Sequence, residues 1–489
     1  MKTTDKITTR INDQLIVIEG DKAFMPLGNF LRNEELLTGT KIVCAEGDCG
    51  ACTVLIAKDV GADGKLSFKA VNSCILPLYL IDGAQVVTVE GIGKQVGMNI
   101  ELHEVQEKMI DCNGAQCGYC TPGFICAMAG MAEKFKSENK TITEKNAKNY
   151  LTGNLCRCTG YGPIVDAMTS VNLDKTQLLK DRYHSADWIS EMKNIKSTSV
   201  EMKFSDKSIF LPAKLSEALS AKAADGDIRL VAGSTDIGVV VNKGKLSTPK
   251  TMALYHIDEL RKISHDDKFI TVGATVTLTE FEDYIEAYFP EMAKMLHIFA
   301  SPQIKNQATL IGNVVNASPI ADTIPFLMVS DAVVELQNSK GSRDIVLKDF
   351  YVGYKKLNMD TSEIVTRIKI PVIAPNEVTR LYKVSMRKDL DISAVTFAAR
   401  VVIDGKKMTS VRLALGGVAA TVARLNDIET KLTGQDFSVK AFEEAAETLD
   451  QYIKPLSDLR ASSAYRMLVS KNYFKKFAKE ISLEIGGGK

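Results

Sequence analysis

Eight of the ten cysteines in this 489-residue chain fall into two groups, and their spacing constrains the fold more than any other feature. The first group runs Cys44-x4-Cys49-x2-Cys52, with a fourth thiol at Cys74 after 21 intervening residues. The second runs Cys117-x2-Cys120, then 35 residues, then Cys156-Arg157-Cys158. Two sets of four thiolates imply two one-electron centres on one polypeptide, so the chain is expected to move electrons.

The first group is the plant-type pattern of a [2Fe–2S] site, Cys44-Ala-Glu-Gly-Asp-Cys49-Gly-Ala-Cys52. Residues 14–18 and 53–57 read as strands flanking this loop. Gly47 and Gly50 can take positive φ, wrap the backbone closely around a cluster and aim N–H groups at its sulfurs. Such donors stabilise the charge added on reduction and tune the potential. A structural zinc site usually pairs two C-x2-C units, whereas here three ligands share one glycine-rich loop.

In the second group, residues 99–111 carry helical periodicity through Ile100, Val105, Met109 and Ile110. Thr121-Pro122 reads as N-cap and first residue of a helix reaching about Phe135. Further helices are expected over roughly 143–152 and from near Pro163. Cys120 and Cys158 would then lie just before helix starts, a suitable place for an anionic cluster. Taken alone, this spacing could equally hold zinc. Cys126, among Phe124, Ile125 and Met128, and Cys112, at a helix end, read as structural thiols.

Length suggests three or four domains. A net charge of +1 implies no basic face and no nucleic acid partner. No apolar run approaches the roughly 20 residues that span a bilayer, and the polar start MKTTDKITTR lacks a signal-peptide core. A reducing, cytoplasmic home is expected, which favours metal ligation over disulfides. The five histidines show no metal-ligand spacing, and no nucleophile–base pair declares itself.

The stretches CAEGDCGACTV, NGAQCGYCTPGF and GNLCRCTGYGPIVDA resemble the two iron–sulfur domains of the molybdenum hydroxylase family. That resemblance covers residues 1 to about 170 and all eight ligand positions. The remainder resembles the family's flavin subunit: Leu230-Val231-Ala232-Gly233-Ser234-Thr235-Asp236-Ile237-Gly238 looks like its first FAD-binding segment. Thr309-Leu310-Ile311-Gly312-Asn313, followed by Ala317 to Asp322, looks like its second. Read alone, Gly233 to Asp236 is a strand-ending turn with donors suited to a pyrophosphate, and not a Rossmann fingerprint. The domain order is most similar to the small subunit of bacterial two-subunit xanthine dehydrogenases.

The resemblance implies a multidomain α+β fold. Residues 1–90 would be a β-grasp plant-type ferredoxin domain and 91–171 a four-helix [2Fe–2S] domain. Residues 201–375 would be a two-lobed FAD domain of the vanillyl-alcohol-oxidase type, and 376–489 a C-terminal α+β cap. The polar stretch 172–200, with the only Trp (Trp188), reads as a linker. Pro371 and Pro375 mark a further joint, and the terminal Gly-Gly-Gly-Lys a frayed tail. The resemblance also implies FAD contacts at Phe299, Asp322, Val365 and Lys383, a mobile loop at 385–391, and a weaker nicotinamide-side candidate at Tyr354.

Gln116 matches a pterin-binding position, so the second thiol group should face a partner. By the same resemblance, that partner would be a molybdopterin-bearing large subunit, in a dimer of heterodimers. The implied reaction passes electrons from hypoxanthine or xanthine through two [2Fe–2S] clusters and FAD to NAD+. An aldehyde or other N-heterocycle as substrate, a self-contained iron–sulfur flavin reductase, and a zinc-stapled scaffold are the competing readings.

Overall fold

The computed structural model describes residues 3–204, 206–373 and 376–486. Pro375, part of the expected joint, and the last three residues of the expected tail lie outside the described residues. The chain divides into two compact units, and neither coincides with the domain map expected from sequence. Unit one comprises Met1–Ala218, Asp227–Asp258 and Ser301–Ala308; unit two holds the rest.

In unit one, strands Gln14–Ile18, Ile7–Ile11, Gln85–Val87, Thr53–Ala57 and Lys69–Asn72 form a mixed sheet in that spatial order. Ile7–Ile11 runs parallel to Gln85–Val87, and the other pairings are antiparallel. The fourth strand, Thr53–Ala57, is buried along its whole length because it separates two cores. Val54 and Ile56 face one core with Leu27, Phe30 and Leu31 of helix Leu27–Asn33. Leu55 and Ala57, one step out of phase, face the other.

That second core belongs to helices Glu104–Asp111, Thr121–Ser137, Glu144–Tyr150 and Gly162–Thr169. Thr121–Ser137 is apolar nearly all round and correspondingly buried through most of its length. Cys126 is inside it, as a buried thiol. Residues 99–101 are not helical as the periodicity suggested: Asn99–Glu101 pairs with Lys94–Val96 in a hairpin, leaving Ile100 exposed. The helix begins only at Glu104, where His103 caps it in a reciprocal pair with Gln106. Likewise Cys120, not Thr121, is the N-cap of the long helix.

The stretch expected to be a linker folds instead. Helices Leu179–Arg182 and Ala186–Lys196 occupy it, and Trp188 is buried against the helical core with the Arg10 guanidinium 4.8 Å from its ring centre. Its polar composition reflects one wet face. Ser199–Lys203 then opens a second sheet with Thr3–Thr4, Ser208–Leu211, Lys250–Ala253 and Arg229–Val231.

Unit two carries an antiparallel sheet of Ile263–His265, Phe269–Gly273, Ile364–Pro371, Val333–Asn338 and Gly341–Val346. It also holds the antiparallel strands Glu377–Val384, Val395–Asp404, Lys407–Gly416 and Ala423–Arg424. Alternate residues Val395, Phe397, Ala399 and Val401 pack on Phe442, Phe474 and Phe477 of helices Val439–Glu447 and Ser463–Gly486. Among the described residues no helix is long and apolar enough to cross a membrane.

Candidate redox sites

The loop after helix Leu27–Asn33 brings Cys44, Cys49 and Cys52 to Cys74, which sits in the short 3-10 turn Ser73–Ile75. The thiols lie within hydrogen-bonding reach of one another. Cys44 meets Cys49 and Cys74, and Cys52 meets Cys74. These contacts hold Cys44 and Cys52 below the ordinary thiol range and, with burial, push Cys49 and Cys74 above it.

Backbone N–H groups reach the same sulfurs: Glu46 donates to Cys44 at 3.4 Å, Ala51 to Cys49 and Gly47 to Cys74. Gly47 and Gly50 have φ of 79° and 67°, the left-handed backbone that lets the loop turn its donors inward. Cys52 and Cys74 are 2 % exposed and form a small apolar cluster with Ile75, beside Ile42, Val239 and Ile304.

The second group is built at the mouth of the helical core. Cys117 and Cys158 are exposed, and their sulfurs lie 3.4 Å apart. Cys120 meets Cys156. Burial, then Cys156, pushes the Cys120 thiol up to about 12. Burial also opposes ionisation of Cys156, but Thr159 Oγ1 at 3.2 Å and the amides of Cys158 and Thr159 bring it down to about 7. Tyr161, held at φ 69°, accepts a hydrogen bond from the Cys156 amide at 3.0 Å.

Among the described residues no three His, Cys, Asp or Glu side chains close around a single metal ion. In the first set Cys44 meets both Cys49 and Cys74, and Cys74 also meets Cys52; in the second, Cys117 meets Cys158 and Cys120 meets Cys156. Four thiols gathered at each site are the donor set of a rhomb with two irons, each of which takes two thiolates.

The expected flavin segments fall in different units. In unit one, strand Arg229–Val231 carries Leu230 and Val231, and Ala232 leads into the turn Gly233-Ser234-Thr235-Asp236. Ser234 has φ 61° and accepts from the Gly238 amide at 2.7 Å as helix Ile237–Asn242 begins. A Cβ on Gly233 would lie 2.0 Å from Gln307 O, and one on Gly238 would lie 2.4 Å from Ile75 O. Neither position has room for a side chain.

In unit two, Thr309 caps helix Leu310–Val315, which includes Ile311, Gly312 and Asn313, by accepting from the Gly312 amide at 3.0 Å. Asn313 Oδ1 accepts from Thr323 at 2.6 Å. Asp322 is buried and paired with Lys383, accepts from Ser393 at 2.5 Å, and is pushed upward by burial against the pull of both. Lys383 also donates to Asp391 O at 2.8 Å. Val365 is buried in strand Ile364–Pro371, and Phe299 ends helix Pro290–Phe299. The 385–391 loop is tied to that helix by Leu390 N to Ile298 O at 3.3 Å. Gln116 and Tyr354 are exposed.

Sequence reading missed one element of unit one altogether, residues 301–308. Gln303 and Gln307 are buried there, and their hydrogen bonds reach residues far away in sequence. The available signal was weak: polar residues recurring in an otherwise apolar stretch.

Three domain families match along the chain: a [2Fe-2S] binding domain at 88–169, the FAD binding domain in molybdopterin dehydrogenase at 175–373, and the CO dehydrogenase flavoprotein C-terminal domain at 380–481. Together the three cover most of residues 88–481. Xanthine dehydrogenase 1 of Arabidopsis thaliana is 28% identical over 98% of this chain and 40% of its own length. Xanthine dehydrogenase/oxidase of Gallus gallus is 27% identical over 92% and 38%. The chain thus spans about two fifths of these curated relatives.

A carbon monoxide dehydrogenase chain from Hydrogenophaga pseudoflava superposes with TM-score 0.53 at 22% identity, over 55% of this chain and 94% of that one. A chain of quinoline 2-oxidoreductase from Pseudomonas putida 86 gives 0.52 at 24%, over 57% and 98%. At those identities the likeness concerns the fold. The chain thus carries matches to a [2Fe-2S] binding domain and to an FAD binding domain.

Proposed function

We propose that this chain is the electron-transfer subunit of a xanthine dehydrogenase-type hydroxylase, acting with a molybdopterin-bearing large subunit and delivering electrons to NAD+. Two sets of four thiols, each brought together within one unit, carry this reading. In it, Cys44, Cys49, Cys52 and Cys74 hold one [2Fe–2S] cluster in a β-grasp domain, and Cys117, Cys120, Cys156 and Cys158 hold the other in a four-helix domain. When bound, the clusters carry single electrons and FAD converts them to a hydride equivalent.

The chain's own residues bind and tune. Amides of Glu46, Ala51 and Gly47 donate to the first thiol set and favour its anionic form. Thr159 does the same for Cys156. The turn Gly233-Ser234-Thr235-Asp236 supplies backbone donors suited to a diphosphate, with Leu230 to Gly238 and Thr309 to Asn313 as the two FAD segments. Phe299, Val365, Asp322 and Lys383 would flank the isoalloxazine, the last two as a buried ion pair that fixes the Lys383 ammonium.

Gln116 and exposed Cys158 face the large subunit, the 385–391 loop lies beside the flavin, and Tyr354 lies toward the nicotinamide. The overall reaction is xanthine + NAD+ + H2O to urate + NADH + H+, or hypoxanthine to xanthine in the same way.

Native isolation tests the reading. The chain should co-purify with a molybdenum-bearing chain in a dimer of heterodimers, and the complex should reduce NAD+ with xanthine anaerobically. Arrival without molybdenum, together with NADH-driven reduction of a small carrier, would instead show a self-contained reductase.

A further inference from the structure

We infer that Ser301–Ala308 registers the two thiol loops and the Gly233 turn against one another, with Gln303 and Gln307 as its positioning residues; this rests on the functional reading above. All the groups involved belong to unit one. Gln303 Nε2 donates to Asn154 Oδ1 at 2.7 Å, and Asn154 Nδ2 donates onward to Gly50 O at 2.9 Å. Asn154 stands two residues before Cys156, and Gly50 directly follows Cys49. One further bond closes the link: the Leu155 amide donates to Cys49 O at 3.0 Å. The two thiol loops are therefore joined backbone to backbone, and Gln303 holds the amide that braces the joint.

The glycines give an independent sign that this approach is close by construction. A Cβ on Gly50 would lie 2.3 Å from Gly153 O, one on Gly123 would lie 2.3 Å from Gly50 O, and one on Gly153 would lie 2.1 Å from Gln303 Oε1. Three chain segments meet backbone to backbone, with only the Asn154 and Gln303 side chains packed into the joint. The same short element touches the other two places. Ile304 Cδ1 would be 2.9 Å from a Cβ on Gly47, inside the Cys44–Cys49 loop. Gln307 Nε2 donates to Gly233 O at 2.5 Å, in the first flavin segment.

Gln303 and Gln307 are 1 % and 5 % exposed, and each leaves its Oε1 without a hydrogen-bond partner. Burying such half-satisfied amides adds little to stability, and a hydrocarbon of similar shape would serve a core as well. What they contribute is a fixed direction and distance.

The test compares wild-type protein with Gln303→Leu, Asn154→Asp and Gln307→Leu, measuring iron, acid-labile sulfide and flavin alongside low-temperature EPR of the dithionite-reduced protein. Two reduced clusters held at fixed separation split each other's signals. Gln303→Leu should keep its iron but shift or lose that splitting. Asn154→Asp retains the acceptor for Gln303 but removes the donor to Gly50 O and to Thr53 Oγ1 and sets a carboxylate oxygen against the Gly50 carbonyl, so it should do the same, and it decides the point should Gln303→Leu not fold. Gln307→Leu should leave the splitting intact and lower flavin retention. Wild-type protein without labile sulfide overturns the functional reading and this inference with it. Both clusters present, with splitting unaltered in Gln303→Leu and Asn154→Asp, overturns this inference alone.

Discussion

The two thiol sites use the same donors in opposite surroundings. Cys52 and Cys74 are sealed among Ile42, Ile75, Val239 and Ile304, and the Asn242 amide bonds Cys74 O at 2.8 Å and Ala45 O at 3.0 Å over the same loop. Cys117 and Cys158 are exposed at the end of a helical core, with Tyr119, Leu155 and Tyr161 exposed around them. A buried site is protected from solvent and oxidant and raises the cost of any local change. An open one gives access at the expense of protection. The difference teaches that one site is partly sealed in the interior of its domain, while the other lies open at the surface of its helical core.

Substituting glycines should separate the two most sharply. Gly50 and Gly118 both have positive φ, 67° and 80°, but only Gly50 is crowded: nothing lies within 4 Å of a Cβ on Gly118. Gly50→Ala combines backbone strain with a clash against Gly153 O and should cost about 3 kcal/mol or more in urea unfolding, with loss of iron from the Cys44 set. Equal losses from Gly50→Ala and Gly118→Ala would break the comparison.

Alkylation of iron-free protein, read by mass spectrometry, comes next. Cys117 and Cys158 should react about a hundredfold faster than Cys52 and Cys74, because reactivity follows exposure and thiolate access.

The burial around the first sheet reaches a carboxyl as well. Burial raises Asp82 from 3.8 to about 7, with the Thr8 amide at 2.7 Å, Lys196 pulling the other way and His256 Nε2 3.6 Å away. A raised carboxyl favours the neutral form, so its stabilisation is full below pH about 4 and is lost as pH rises through about 7. Unfolding free energy should fall by about 2 kcal/mol between pH 5 and 8 from this group, and Asp82→Asn should flatten that slope. The smallest effect is Gly118→Ala itself, about 1 kcal/mol from positive φ alone, with both clusters retained.

Local signals read true where one element decides the outcome. Gln14–Ile18, an exposed edge strand, and buried Thr53–Ala57 are strands at the expected residues, both being runs rich in β-branched residues. Helix Thr121–Ser137 follows its Pro at the first turn. The sequence misled where tertiary context took over. Residues 172–200 look like a linker because their outer faces are charged, yet Trp188 and Met192 bury the inner ones. Residues 99–101 carried apolar periodicity but formed a hairpin, and Ile100 faces solvent. Spacing alone could group the thiols by four, but pairing Cys117 with Cys158 across 41 positions required the fold. Gln303 could not be seen from sequence at all, because its partner Asn154 lies 149 positions away.

The central claim is that these eight thiols hold two iron–sulfide rhombs. Anaerobically purified protein should contain about four irons and four acid-labile sulfides per chain and show two distinct reduced-state EPR signals, with Cys158→Ser removing one and Cys52→Ser the other. Protein containing zinc, or no labile sulfide and no such signals, would contradict it.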